Sequence, residues 1–218
     1  MLDPQSCYAL AEVTWSELPS SYDRVAAIYE RTFLDELDHK VRDRELLDAF
    51  TARTMGLVLD VGCGPGQVGA YVRGSERTTV GVDSSAQMAR LAATRLDGAV
   101  VGDMRRLPFR SGSIGGILAF YSIIHVPRDE LGTVLGEFRR VLRDGGQLLL
   151  SAHEGSGQMD HSSFLGESVP FVATLFHLDE LVSALHGVGM DVTLFEQRFP
   201  YDVEGATTRL YVAAEKPS

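Results

Sequence analysis

The sequence predicts an α/β fold in which a mostly parallel sheet carries helices on both faces. Between residues 57 and 152, short and almost continuously apolar segments alternate with helical patterns. That alternation is typical of buried parallel strands joined by helical crossovers. After a helical segment at 178–188, two further strand patterns at 191–199 and 207–215 are separated by only a turn. A connection that short requires an antiparallel pair.

Each element is predicted from a local pattern. Apolar residues at helical spacing begin after Ser20, which forms a capping-box pattern with Asp23, and extend to Val41. A second helix is predicted over 43–50. The parallel strands are predicted at 57–61, 78–83, 99–103, 114–121 and 147–152, and the helices between them at 68–72, 86–95 and 128–142. Gly145 and Gly146 are expected to end the last of these helices.

Length and composition favour one core of ordinary globular type. The 218 residues suit a domain at 56–218, preceded by an N-terminal helical segment at 1–55. The stretch 153–176, rich in Gly, Ser and His, is predicted to form a long loop or lid. The formal net charge of -10 repels phosphate backbones, which argues against a nucleic-acid partner.

The cysteines and the apolar segments indicate the cellular compartment of the protein. Cys7 and Cys63 are too few and too far apart in sequence for a disulfide framework or a four-ligand zinc site. No metal requirement is expected. The first residues lack a signal-peptide pattern, and no apolar run approaches the roughly 18 residues of a membrane span. The sequence therefore predicts a cytoplasmic protein with no membrane partner.

The loop Val61-Gly62-Cys63-Gly64-Pro65-Gly66 is the first candidate binding feature. It follows the first strand and opens a helix, a position where free N–H groups favour an anionic ligand. Its spacing also fits the dinucleotide pattern G-x-G-x-x-G, and a turn without any ligand remains an alternative.

Two acidic residues end the next two strands. Asp83 can accept both hydroxyl groups of a ribose, although it could instead cap the following helix. Asp103, followed by Leu107-Pro108-Phe109, can accept a hydrogen bond from an adenine amino group. Taken alone, it could equally be a solvated aspartate at a strand end. Nicotinamide enzymes have no regular need for the second arrangement, which favours a different adenosine cofactor.

Residues 57–152 resemble the class I S-adenosylmethionine-dependent methyltransferases, in the small-molecule group related to ubiquinone and menaquinone biosynthesis. The matching stretches are 57–66, 81–85, 102–109 and 142–148. The resemblance implies a Rossmann-like, seven-stranded sheet of order 3-2-1-4-5-7-6 with its last strand antiparallel. It also implies S-adenosylmethionine as cofactor and S-adenosylhomocysteine as its product.

The resemblance further implies a set of cofactor contacts. Near the methionine part it implies Gly62, Gly64, Gly66, Asp60, Tyr22, Tyr29, Phe120 and Tyr121. Near the nucleoside it implies Asp83 with Ser84 at the ribose, Asp103 at the adenine, and Met88 and Met104 against the ring. For either tyrosine of the first helix, a place in the core at helical spacing is an equally good interpretation.

Methyl transfer is an in-line displacement that depends mainly on alignment. A general base is needed only where the nucleophile must lose a proton, and His125 and His153, each just after a strand, are the candidates. Either could instead be hydrogen-bonded to the backbone. His161 and His177 are weaker candidates, and Asp35, Glu36 and Asp38 are predicted to form a solvated helix face.

A partly apolar small molecule is the expected acceptor. The predicted lid carries apolar residues, and Ala119-Phe120-Tyr121-Ser122 stands where nucleic-acid amino-methyltransferases have Asn/Asp-Pro-Pro-aromatic. Two other functions remain open. A nicotinamide-dependent oxidoreductase could use the same glycine loop, although no Tyr-x-x-x-Lys pair is present. A non-catalytic module that binds a nucleoside cofactor is the second alternative.

Overall fold

A seven-stranded sheet forms the centre of the computed structural model, which describes residues 15–74 and 77–218. Its strands are β1 (Val58–Val61), β2 (Thr79–Asp83), β3 (Gly98–Val101), β4 (Ile114–Phe120), β5 (Leu142–His153), β8 (Asp191–Arg198) and β9 (Arg209–Glu215). The order is β3-β2-β1-β4-β5-β9-β8, and β9 is antiparallel to both of its neighbours. With β8 and β9 as the sixth and seventh strands, this order confirms the predicted fold class.

Alternating side chains cover both faces of this sheet. The helices are α1 (Leu18–Phe33), α2 (Val41–Arg53), α3 (Gln67–Arg73), α4 (Ala86–Ala92), α5 (Leu131–Val141) and α6 (Leu178–Gly187). In β4, Ile117 packs into a core with α5 and α6, while the next residue, Leu118, packs into a second core with α2 and α3. Successive side chains of a strand point to opposite faces, so the central strands are apolar throughout.

The N-terminal helices differ from the prediction. Helix α1 begins at Leu18 with a proline in its first turn, and Ser20 donates to the Glu17 carbonyl oxygen (2.8 Å), so the predicted capping box is wrong. Asp23 instead accepts hydrogen bonds from Ser85 Oγ and the Gln87 N–H (2.6 and 2.9 Å), which joins α1 to the start of α4. A 3-10 turn at Glu36–His39 separates α1 from α2 and keeps Leu37 buried.

The predicted glycine stop of α5 is also wrong. The helix ends at Val141, and Leu142 already has extended backbone dihedrals. Gly145, with φ of +71°, lies within β5, where its N–H donates to the Lys216 carbonyl oxygen (2.8 Å). Gly145 therefore allows a left-handed backbone near the start of β5, beside the residue that follows β9.

Part of the predicted loop 153–176 is a β-hairpin. Strands β6 (Gln158–His161) and β7 (Phe171–Thr174) pair antiparallel outside the main sheet. The hairpin is attached to the segment after β4, because Thr174 Oγ1 donates to the Val126 carbonyl oxygen (2.8 Å). The division at residue 55 stays a prediction, and Cys7 lies outside the described residues. No helix among those described is long and apolar enough to cross a membrane.

Candidate functional site

The glycine loop after β1 packs directly against Ser122, two residues after the end of β4. Gly62 has a φ of +69°, and a Cβ atom on it would lie 2.3 Å from Ser122 Cβ. Gly64 also has a positive φ, of +52°, and a Cβ atom on it would make ordinary van der Waals contact with Tyr29 (3.7 Å) and Gln67 (3.9 Å). Gly66 has a φ of +89° and faces elsewhere: a Cβ atom there would lie 3.0 Å from Ala92 Cα in α4. The glycine at 66 is thus required by helix packing, and it lines neither of the cavities described next.

Two cavities meet at this loop. The first has a volume of about 360 Å³, and the second has a volume of about 510 Å³. Their shared wall consists of Tyr22, Tyr29, Gly62, Gly64, Phe120, Tyr121 and His125. The first cavity also contains Asp83, Ser84, Met88, Asp103 and Met104, and the second contains Asp60 and His153. The structure therefore brings together all predicted site residues except Gly66.

Asp83 holds the glycine loop in place. Its Oδ2 accepts the Gly64 N–H (2.8 Å), and its Oδ1 accepts the Ser85 N–H (2.8 Å). Burial raises the pKa of Asp83 to about 6, although these N–H groups oppose the rise. Helix α4 is capped by Ser85 Oγ, which accepts the Met88 N–H (3.1 Å). Because Ser85 caps the helix, the carboxylate of Asp83 orders the glycine loop at the wall of the first cavity.

Asp60 is the most deeply buried carboxyl group of the site. It is 2% exposed, and its Oδ2 accepts the Gly69 N–H (2.9 Å) at the start of α3. Burial, with a smaller contribution from the charge of Asp83, raises the pKa of Asp60 to about 7. The group therefore titrates near neutral pH beside the second cavity.

Asp103 is more exposed than the prediction implied. Both of its oxygens accept from Arg105 Nε (2.9 and 3.0 Å), and Arg105 also bridges to Glu130 (2.9 Å). The hydrogen bond from Arg105 lowers the pKa of Asp103. Asp103 also accepts the Arg105 backbone N–H (2.8 Å) and Nη2 (2.6 Å), so its roughly four lone-pair sites are occupied and a further donor would have to replace one of these bonds. Asp103 lies at the edge of the first cavity, beside Met104.

Tyr22 and His125 form a hydrogen-bonded pair in the shared wall. The distance from Tyr22 Oη to His125 Nε2 is 2.7 Å, and that from His125 Nδ1 to the Val172 carbonyl oxygen is 2.8 Å. Because a carbonyl only accepts, Nδ1 carries the proton and Nε2 accepts the Tyr22 hydroxyl proton. Burial lowers the pKa of His125 to about 4 and raises that of Tyr22. Both groups are therefore neutral at pH 7.

His153 lies against the ring of Tyr121 in the second cavity. The two rings stack with centroids 5.2 Å apart, and His153 Nδ1 is 3.0 Å from Thr207 Oγ1. Burial, together with the charge of Arg209, lowers the pKa of His153 to about 3. Glu154 points elsewhere and accepts from His177 Nδ1 (2.6 Å). His161 stacks on Phe171 of the hairpin, with ring centroids 6.3 Å apart.

The sequence prediction missed several residues that line the cavities. Lys40, Glu204 and Arg209 line the second cavity, and Trp15 lines the first. Glu36, predicted to be solvated, is half-buried and pairs with Lys40 (2.6 Å), while Asp35 and Asp38 are exposed. The one available signal was that Lys40 is one of only two lysines, Lys40 and Lys216, in the chain. Nothing local in the sequence connects it with residues 204–209.

Fold and site together define a class I S-adenosylmethionine-dependent methyltransferase domain: the strand order, the glycine loop after β1, and carboxylates at the ends of β2 and β3. Residues 58–146 match the family model described as a methyltransferase domain. Among the described residues, no three His, Cys, Asp or Glu side chains come together as a metal site.

Relatives and solved structures agree with this assignment. The chain is 29% identical over 188 residues to methyltransferase GfsG of Streptomyces halstedii, covering 80% of this chain and 63% of GfsG. It is 27% identical over 190 residues to a malonyl-[acyl-carrier protein] O-methyltransferase of Herminiimonas arsenicoxydans, covering 84% and 69%. This chain spans only 38%, 63% and 69% of the lengths of the first three curated relatives that it matches.

A solved structure has a similar fold. The Burkholderia thailandensis 1,6-didemethyltoxoflavin-N1-methyltransferase, with 1,6-didemethyltoxoflavin and S-adenosylhomocysteine bound, superposes with a TM-score of 0.72 at 21% identity. The match covers 93% of this chain and 88% of that one.

The residues present fit S-adenosylmethionine. Two buried polar atoms of the cavity walls, Ser122 Oγ and Gln67 Oε1, have no hydrogen-bond partner within the described part of the chain. Unpaired buried polar atoms are costly, and a polar ligand would satisfy them. Gly62 and Gly64 line both cavities without a side chain, so a ligand can approach the loop backbone closely.

Proposed function

We propose that the protein transfers a methyl group from S-adenosylmethionine to a small, partly apolar acceptor bound in the second cavity. The observation that carries this proposal is the shared wall at Gly62, Gly64 and the Tyr22–His125 pair. A cofactor in the first cavity and an acceptor in the second would meet at that wall, as an in-line displacement requires.

The cofactor would be held by the residues that the sequence singles out. Asp83, beside Ser84, is proposed to accept the ribose hydroxyl groups, and Asp103 the adenine amino group. Met88 and Met104 are proposed to pack against the adenine. Asp60 and the backbone of the glycine loop are proposed to order the methionine end, together with Tyr29, Phe120 and Tyr121. When bound, S-adenosylmethionine supplies a methyl group carried on a positively charged sulfur atom.

The Tyr22–His125 pair is proposed to remove the acceptor proton. As an acceptor O–H or N–H bond breaks, its proton passes to Tyr22 Oη while the Tyr22 hydroxyl proton passes to His125 Nε2. The hydrogen bond from His125 Nδ1 to Val172 fixes the tautomer that leaves Nε2 free to accept. Tyr22 thus contacts the acceptor, and His125 holds the proton. His153, whose Nδ1 is held by Thr207, remains a second candidate base.

The acceptor cavity favours a partly apolar small molecule. Met159 and Phe171 of the hairpin and Phe164 between its strands line one side of the second cavity. The net charge of -10 continues to argue against a nucleic-acid substrate. The malonyl-[acyl-carrier protein] O-methyltransferase and the 1,6-didemethyltoxoflavin-N1-methyltransferase carry different acceptors in their names, so the acceptor of this protein must be found by screening phenols, amines and carboxylates.

Titration with S-adenosylhomocysteine and with NAD⁺ tests the cofactor. We expect S-adenosylhomocysteine to bind and NAD⁺ not to, and Asp83→Ala to weaken S-adenosylhomocysteine by about 10–150-fold, because hydrogen bonds to a charged group contribute ~1.5–3 kcal/mol. Asp35→Ala is the matched control, since Asp35 is exposed and lines neither cavity. Tighter binding of NAD⁺ would favour an oxidoreductase, and binding without turnover on any acceptor class would favour a non-catalytic module.

Asp60 predicts a pH dependence of cofactor binding. Its pKa of about 7 in the free protein should fall when the cationic sulfonium and ammonium groups bind nearby. Binding then releases a proton, so affinity for S-adenosylmethionine rises with pH, by up to about tenfold per pH unit, and levels off above pH 7. Calorimetry from pH 5 to 8 measures this rise. Asp60→Asn keeps the acceptor for Gly69 and should flatten the curve; an unchanged curve would contradict the assignment.

A further inference from the structure

Positive charge surrounds the ring of Tyr121 at the edge of the second cavity. Lys40 Nζ lies 5.3 Å from the ring centroid, and the Arg209 guanidinium carbon lies 5.8 Å from it. Tyr121 has a φ of +50°, which is uncommon for a residue other than glycine. Its N–H donates to Ser151 Oγ (2.9 Å). Such a backbone persists only where its surroundings hold it, and it often marks a functional site.

Both cations are buried, and one of them lacks its own counter-charge. The side chains of Lys40 and Arg209 are 10% and 6% exposed. Lys40 pairs with Glu36 at 2.6 Å. Among the described residues, the one carboxylate within 4 Å of Arg209 is that of Glu204, at 3.5 Å. Buried charges are stable only when paired, so the environment of Glu204 decides how well Arg209 is compensated.

Glu204 is already engaged by another arginine. Arg198 donates to both of its oxygens (2.8 and 3.0 Å). Burial would raise the pKa of Glu204, but the hydrogen bonds from Arg198 and from the Tyr201 N–H, with the charges of Arg209 and Lys40, lower it to about 2. Lys40 Nζ also lies 3.5 Å from Glu204 Oε1. The ionised carboxylate of Glu204 is therefore within 4 Å of three cations, Lys40, Arg198 and Arg209. Arg209 otherwise donates only to neutral oxygens of Thr207 and Gly205.

Two other titratable groups lie nearby, Asp43 and His153. Asp43 accepts from Tyr211 (2.5 Å) and Arg198 (3.3 Å), and burial raises its pKa. His153 is neutral at pH 7. In this corner of the cavity Lys40 therefore has Glu36 and Arg198 has Asp43 beside it, whereas Arg209 has only the shared carboxylate of Glu204 within 4 Å in the described part of the chain.

A second group of residues that line this cavity is apolar. Phe164 and Phe171 stack with their centroids 4.6 Å apart, and Met159 lies beside them in the cavity lining. A cavity of about 510 Å³ lies in the range of about 300–1,000 Å³ that small-molecule sites occupy. The lining of this cavity therefore combines two chemically different groups. Lys40 and Arg209 are cationic, and Phe164 and Phe171 are aromatic.

We propose that the acceptor carries a carboxylate that anchors on Arg209, with Lys40 beside it, while its apolar body lies against Phe164 and Phe171. This inference rests on the proposed function, because it assigns the second cavity to the acceptor. A guanidinium group presents paired N–H donors that match the two oxygens of a carboxylate. A neutral amide has only one carbonyl oxygen and no charge, so it cannot replace the carboxylate. The carboxylate is the recognition group; the atom that takes the methyl group is a separate part of the acceptor.

Calorimetry with benzoate and benzamide on protein saturated with S-adenosylhomocysteine tests the anchor. The two probes have nearly the same shape and differ in charge. We expect benzoate to bind about tenfold more tightly or better. Arg209→Gln should remove most of this preference and leave affinity for S-adenosylhomocysteine unchanged. Arg90→Gln is the control, because Arg90 is exposed on α4 and lines neither cavity.

Equal dissociation constants for the two probes on the unmodified protein would overturn the proposal, and this comparison needs no variant. Equal losses of benzoate and S-adenosylhomocysteine in Arg209→Gln would also overturn it, because Arg209 would then serve the cofactor carboxylate. Failure of the proposed function looks different: S-adenosylhomocysteine would not bind, or no acceptor would be methylated, while benzoate kept its preference. Methylation of neutral acceptors with no preference for benzoate would leave the function standing and refute the anchor.

Discussion

Replacing His125 by Asn is expected to lower kcat by about 10²–10⁴-fold for an acceptor whose nucleophile carries a proton, because general-base catalysis contributes that much. Tyr22→Phe should have a similar effect, since it removes only the hydroxyl group that lies 2.7 Å from Nε2. Affinity for S-adenosylhomocysteine should change much less in His125→Asn, and steady-state kinetics with calorimetry separates the two effects.

A pH profile adds a readout that a structural role would not change. His125 must be neutral to accept a proton, so kcat/KM for the acceptor should fall as the pH decreases through about 4, and this limb should disappear in His125→Asn. Asp35→Ala is a suitable control, because Asp35 is exposed and lines neither cavity. If kcat were retained in His125→Asn, His125 would be a structural hydrogen-bonding residue, and His153 would be tested next.

Gly62→Ala is expected to destabilise the protein and to abolish most cofactor binding. The new Cβ atom would lie 2.3 Å from Ser122 Cβ at a residue with φ of +69°. Overpacking costs ~1–3 kcal/mol and left-handed backbone ~1–2 kcal/mol, which together lower Tm by roughly 5–15 °C in a chain of this length. Differential scanning calorimetry measures the change.

Gly136→Ala in α5 provides the matched comparison. A Cβ atom there meets nothing within 4 Å, and the residue has no positive φ. We expect this variant to be slightly more stable, by ~0.5–1 kcal/mol, because alanine favours a helix over glycine. A Gly62→Ala variant as stable as Gly136→Ala would show that the loop moves freely away from Ser122.

The sheet and the cofactor end of the site could be predicted because their signals are local. Strands such as β4 are apolar on both faces, Asp83 is the last residue of β2, and Asp103 lies two residues after β3. The errors in the helices also have local causes: proline in the first turn of α1 set its start, and a 3-10 turn interrupts the periodicity before α2. The sequence could not place Gly66, because Ala92, its neighbour in space, belongs to a different helix.

The acceptor end could not be predicted, since it depends on contacts between distant segments. Lys40 precedes α2, whereas Glu204 and Arg209 come from the turn and strand at the end of the chain. The tautomer of His125 is set by Val172, 47 residues away. Strands β6 and β7 are four residues each and lack a clear alternation of polar and apolar residues.

The hairpin contacts both the acceptor cavity and the imidazole ring of His125. Phe171 lines that cavity, and the carbonyl oxygen of the next residue, Val172, accepts the Nδ1 proton of His125. A bulky molecule that pushed Phe171 outward would therefore release the ring, which could then rotate and turn Nε2 away from Tyr22. Under the proposed mechanism, size selection by this enzyme acts on the rate of proton removal as well as on affinity. An oversized acceptor would bind and still react slowly.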